Sequence, residues 1–227
     1  MGQLQSKDEK TVADNAGEVE MTDLEKQWMD PHKRKILEAI NDVNSKFHER
    51  SLFDVSTQIS ALRRLCFVTY YANDFELIQK CQETFPSLIR YLTDSKTTFQ
   101  LRLELISAVS ILCHGNQVNC RVWAAEGGMK VLIGQLRQIP RGLLTDAMHR
   151  QTLQLNVWIV YTFRTVLCGS AEAIKCIIGC ADFPQFADML IEMCSMADVW
   201  SKTTERQNYA LDCCVLLGIG GKKREVV

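Results

Sequence analysis

Residues 101–136 read LRLELISAVSILCHGNQVNCRVWAAEGGMKVLIGQL, and the spacing of their apolar side chains decides the fold class. Leu101, Leu105, Ala108 and Leu112 recur at intervals of four, three and four, which places them on one stripe of an α-helix. Gly115 interrupts the pattern, and a polar turn at Asn116 and Gln117 leads to a short apolar segment through Val122 and Trp123. Gly127-Gly128 ends that segment, and Val131, Leu132 and Leu136 mark a further helix. Long helix, short helix, glycine corner and helix form a unit whose apolar face no single copy can bury in water. Such units must stack on one another.

The flanking sequence repeats the order. Upstream, Pro31 takes a first-turn position, and Ile36, Ile40, Val43 and Phe47 follow at intervals of four, three and four, opposite Lys33, Lys35, Glu38, Asp42 and Lys46. Asp54 is placed to cap a helix carrying Val55, Ile59, Leu62, Cys66 and Thr69 on one side, with Leu65 and Val68 widening the stripe and Asn73-Asp74 stopping it. A short helix with Leu77, Ile78 and Cys81 precedes Phe85-Pro86 and a helix carrying Leu88, Ile89 and Leu92. The offset from Pro86 to Gly128 is 42, within the ~40 to 47 residues of an armadillo or HEAT unit.

Downstream, Pro140-Arg141-Gly142 marks a loop and Leu143 to Met148 an extra turn. An apolar helix from about Gln151 to Leu167 is greasy nearly all round and is expected to be central. Gly169-Ser170 caps a short helix of Ile174, Ile177 and Ile178, and Phe183-Pro184 repeats the corner before Phe186, Met189, Leu190 and Met193. A last helix, about Thr203 to Leu217, opens a fourth unit that Gly218, Gly220 and Gly221 leave unfinished. An unfinished end exposes apolar surface and is a candidate self-association face.

Composition narrows the function. The chain has 227 residues, 47% hydrophobic and 23% charged, enough for one folding unit of ordinary size. A net charge of -1 and a pI near 6.4 argue against nucleic acid as a partner, because phosphate binding needs clustered Lys and Arg. The opening MGQLQSKDEK lacks the apolar core of a secretory signal, and the charge-free run 151–163 is well short of the ~20 residues that cross a bilayer. A cytoplasmic protein is expected. Its ten cysteines fall mostly in apolar helical stretches and are read as reduced core residues.

Residues 1–30 are polar and acidic and read as a disordered tail, 31–221 as the helical domain, and 222–227 as a basic C-terminal tail. The tail opens with Met1-Gly2-Gln3-Leu4-Gln5-Ser6, which fits the acceptor pattern for N-myristoylation at Gly2. One such chain supports only reversible association with the cytoplasmic face of a membrane, and the tail holds no cysteine for a second acyl group.

Asn119, Trp123, Glu126, Gly127-Gly128, Val131-Leu132 and Leu136 resemble the second-helix, Gly-Gly and third-helix motif of the armadillo-like helical repeat family, and the Phe-Pro corners resemble degenerate copies. The likeness covers about Phe53 to Leu217. It implies an all-α, right-handed solenoid of about three and a half repeats that binds other proteins without catalysis. In peptide-binding armadillo proteins an asparagine on the long helix grips extended peptide backbone, and here Ile111 stands in its place. That departure favours docking of a helix or a surface over an extended peptide.

Catalytic readings are weak. Cys113 and His114 are a nucleophile and a base side by side, yet helix neighbours point about 100° apart. Cys176 and Cys180 share a helix face, but no second Cys/His pair completes a zinc set. Gly218-Ile219-Gly220-Gly221 lacks a following helix to seat phosphate. Trp28, Trp123 and Ile111 are the candidate partner contacts, Trp200 reads as packing, and Glu225-Val226-Val227 resembles a ligand for a PDZ sheet edge. The expectation is a non-catalytic scaffold or adaptor for an unidentified protein partner, without cofactor or metal, and tethered through the Gly2 lipid. The rivals are a thiol-dependent enzyme or redox sensor, and a structural subunit forming a homo-oligomer through its C-terminal end.

Overall fold

Four of the described helices begin where a short polar side chain satisfies a free amide of the first turn. The computed structural model describes residues 31–48, 54–72, 75–136, 147–195 and 208–219, and among them all regular structure is helical. The expected all-α class holds. Helix α1 (Pro31–His48) is followed by α2 (Val55–Tyr70), where the Asp54 carboxylate accepts from the Thr57 amide at 2.7 Å. Helix α3 (Phe75–Lys80) passes through a 3-10 turn (Cys81–Thr84) into α4 (Phe85–Thr93). Thr98 caps α5 (Phe99–Cys113), and the Asn116 side chain caps α6 (Gln117–Ala125) by accepting from the Asn119 amide at 3.0 Å. After α7 (Gly128–Gln135) comes the long α8 (Ala147–Gly169). Ser170 caps α9 (Ala171–Ile178), and α10 (Phe183–Ser195) and α11 (Tyr209–Leu216) complete the described chain.

The corners differ in chemistry. Gly127 turns between α6 and α7 with φ +84°, a left-handed conformation that glycine adopts without steric penalty. At Phe85-Pro86 no left-handed residue is used: the 3-10 turn leads straight into α4 with Pro86 in its first turn, where a missing N–H costs nothing. One sequence expectation shifts. The helix read from about Gln151 starts at Ala147, so Met148 belongs to α8 and not to a separate turn. The last helix is described over Tyr209–Leu216, and its expected start at Thr203 lies outside the described residues.

Long helices pack on long helices. Helix α1 lies against α2, α2 against α5, α5 against α8 and α8 against α11, while the 3-10 turn meets α6, α6 meets α9 and α4 meets α7. Polar ties between these neighbours keep a register. Arg63 on α2 pairs with Glu104 on α5 across 41 residues. Asn119 Nδ2 on α6 donates to the Ile78 carbonyl on α3 at 3.1 Å, again across 41. Gln135 Nε2 on α7 donates to the Leu92 carbonyl on α4 at 3.0 Å across 43. Three successive elements are thus matched to the preceding three by nearly one displacement. From α5 to α8 the step lengthens: Thr162 Oγ1 donates to the Ile106 carbonyl across 56 residues, since 137–146 are inserted between the two helices. Helices α8 and α11 run in the same direction, because Tyr161 meets Tyr209 and Arg164 meets Asp212 at the same offset of 48.

Burial follows from having neighbours on one side or two. Helix α1 buries Ile36, Ile40, Val43 and Phe47 as one stripe, as its spacing predicts. Helix α5, held between α2 and α8, buries Leu101, Leu105, Ala108 and Leu112 and also Leu103, Ile106, Val109 and Cys113. Helix α8 touches α5, α6, α7, α9 and α11 and buries Leu155, Val157, Ile159, Val160, Phe163, Val166 and Leu167, in the central place its composition predicts. Helix α2 departs from expectation. Val55, Ile59 and Cys66 are only half-buried, and the fully buried line runs through Gln58, Ala61, Leu62, Leu65 and Thr69. Gln58 is admitted to the core because its Nε2 donates to the Lys46 carbonyl at 3.3 Å and to Tyr91 Oη at 3.1 Å.

Candidate functional site: the open face of the long helices

Each long helix leaves a stripe uncovered. On α2 that stripe carries Arg63, Phe67 and Tyr70 at helical spacing, with Tyr71 following as the C-cap residue. Phe67, Tyr70 and Tyr71 are 65%, 69% and 68% exposed and lie against one another, with ring centroids 5.0 Å apart for Phe67–Tyr71 and 5.2 Å for Tyr70–Tyr71. On α5 the half-buried stripe is Glu104, Ser107 and Ile111. Helices α8 and α11 meet through Trp158, Tyr161 and Tyr209, whose rings form a chain with centroids 5.9 Å and 4.8 Å apart. Arg164 lies over the Tyr209 ring at 5.6 Å and donates from Nε to Asp212 at 2.6 Å.

Charge along this face is matched. Arg63 pairs with Glu104, Arg64 with Glu38 at 3.2 Å, and Arg164 with Asp212. What stands out is therefore apolar: three large rings linked through Tyr71, on a surface where large side chains normally tuck inward.

The residues singled out from sequence fall in different places. Ile111 lies on the open stripe of α5, half-buried and within reach of a docked molecule. Trp123 does not: it is wholly buried, edge-on to Phe85 at 5.3 Å and 80°, and reaches no surface. Its role as a partner contact is corrected to core packing, since the α6 face that carries it is enclosed by neighbouring helices. Trp28, Trp200, Gly2 and the tails 1–30 and 222–227 lie outside the described residues. Sequence reasoning missed Phe67, Tyr70 and Tyr71, although the run Phe67-Val68-Thr69-Tyr70-Tyr71 carries more aromatic rings than one buried stripe can hold.

The thiols divide by burial. Cys81, Cys113, Cys120, Cys213 and Cys214 are buried, Cys66, Cys180 and Cys194 half-buried, and Cys168 and Cys176 exposed, so the expectation of core cysteines is right for half of them. Cys113 points inward and burial pushes its thiol well up, while His114 is exposed. The neighbouring nucleophile and base are not brought together. Among the described residues no three His, Cys, Asp or Glu side chains are grouped to hold a metal ion, and no helix is long and apolar enough to cross a membrane.

No protein-family model, no curated protein and no solved structure matches this chain. The open face must be read on its own chemistry.

Buried thiols also set an alkaline limit. Burial raises Cys66 and Cys81 from 9.0 to about 12, so in the folded chain both keep a proton that the unfolded chain gives up above pH about 9. Their contribution is intact below that pH and falls as pH rises from 9 toward 12, by about 1.4 kcal/mol for each thiol at pH 10. Urea unfolding at pH 8 and pH 10 should show the fall, and replacing Cys81 with alanine should reduce it. A wild-type midpoint that holds steady between those pH values would contradict the assignment.

Proposed function

We propose that this chain is an armadillo-like, right-handed helical solenoid that works as a non-catalytic scaffold, docking a protein partner on the open face of its long helices. The single observation carrying the reading is the exposed cluster of Phe67, Tyr70 and Tyr71 on a face whose charges are already paired. The repeated displacement of 41 to 43 residues between successive short and long helices supports the solenoid. Aromatic side chains bring large contact area at small entropic cost, which is why they serve as anchors at protein interfaces. With Ile111 where an asparagine would hold an extended peptide, the partner presents an apolar helix face or a folded surface.

The test joins two measurements. Proteins labelled in cells by the full-length chain carrying a C-terminal labelling enzyme are compared with those labelled by the variant Phe67→Ser, Tyr70→Ser, Tyr71→Ser. The variant should unfold within ~0.5 kcal/mol of wild type, because surface positions cost little. Its labelled partner should bind at least roughly 30-fold more weakly when purified, as loss of a hot spot predicts. Equal affinity for wild type and variant would remove the aromatic face from the proposal.

A further inference from the structure

The sulfurs of Cys194 on α10 and Cys214 on α11 lie 4.0 Å apart, on helices that pack directly against each other. They are reduced, and they are 20 residues apart in the chain. A disulfide needs its sulfurs at about 2.05 Å, so the two must approach by about 2 Å. The arrangement is selective. Cys213, next in sequence to Cys214, points the other way and gives its thiol to the Val160 carbonyl on α8 at 3.7 Å. Neighbouring residues on a helix diverge by about 100°, so only one of this adjacent pair can face α10. Cys194 is the half-buried sulfur and Cys214 the buried one, which gives an oxidant access to one side of the pair.

We infer that Cys194 and Cys214 form an oxidation site, closing to a disulfide that fastens the last described helix to the one before it when the chain meets hydrogen peroxide. The Cys194 sulfur attacks the peroxide, an S–O bond forms and the O–O bond breaks, and the leaving oxygen takes up a proton as water. The Cys214 sulfur then attacks the Cys194 sulfenic acid; the S–S bond forms, the S–O bond breaks, and a second water leaves with the thiol proton. Two thiols lose two electrons in all, and one peroxide is reduced to two waters. Burial, with the nearby Cys194 second, pushes the Cys214 thiol up to about 12, so Cys214 is not the sulfur that attacks the peroxide first. The consequence is conformational: α11, where Leu211 and Val215 are exposed, becomes tied to α10.

Purified full-length chain is treated with hydrogen peroxide, its remaining thiols are blocked with N-ethylmaleimide, and peptides are mapped without reduction. The expected product is one peptide pair joining Cys194 to Cys214, lighter by two hydrogens and separated again by dithiothreitol. The oxidised chain should melt higher, by roughly 5 °C, because the link limits the unfolded chain. Cys194→Ser should lose the pair and the shift together. Peroxide treatment that leaves Cys194 as sulfinic acid, joins either residue to another cysteine, or leaves both free would overturn the inference, and so would a linked chain that melts no higher.

Discussion

Gly128→Ala is expected to cost about 3 kcal/mol of folding stability, at the upper end of what an added methyl does in a packed interior. The first residue of α7 has no room for a side chain. A Cβ there would stand 2.1 Å from Cε2 of Trp123, 2.4 Å from Cδ2 and 2.6 Å from Cζ2. Those are ring atoms of a residue with no solvent exposure, held edge-on by Phe85, so the ring cannot swing aside without moving α4 as well. The same substitution six residues later has the opposite sign. Gly134 sits in α7 with nothing within 4 Å of an added Cβ, and Gly134→Ala should raise stability by ~0.5 to 1 kcal/mol through helix propensity alone. Urea midpoints of the two variants measure the contrast. If Gly128→Ala unfolds with the wild-type midpoint, the indole is not seated against that backbone and the corner is built differently.

Leu105→Ala should lose ~2 to 5 kcal/mol, and Leu112→Ala the same range, as buried leucines do where a cavity cannot collapse. Both lie on α5, at 0% and 1% exposure, with α2 on one side and α8 on the other. A cavity between two helices that are each held by further neighbours closes less readily than one at an edge. Ile111→Ala on the open stripe of the same helix supplies the comparison and should cost less than about 1 kcal/mol. A loss below about half a kcal/mol at Leu105 would mean that its side chain faces water and that the stripe defined by Leu101, Leu105, Ala108 and Leu112 is wrongly phased.

Helix order, caps and corners of this protein are determined by the sequence alone, because their causes are local. Asp54 and Ser170 stand where a first-turn amide needs an acceptor, Gly127 where the chain must turn left-handed, Pro86 where only a first turn tolerates it. A spacing of three and four likewise places Ile36 to Phe47 on one line whatever the rest of the chain does. Tertiary structure decided which side of each helix stays open, for a reason periodicity does not contain. The number and position of neighbours set how wide the buried stripe is and about which residue it is centred, and those neighbours lie 12 to 56 residues away. So Gln58 enters the core through partners on α1 and α4, Trp123 is enclosed while Phe67 is left out, and two sulfurs from separate helices come to face each other.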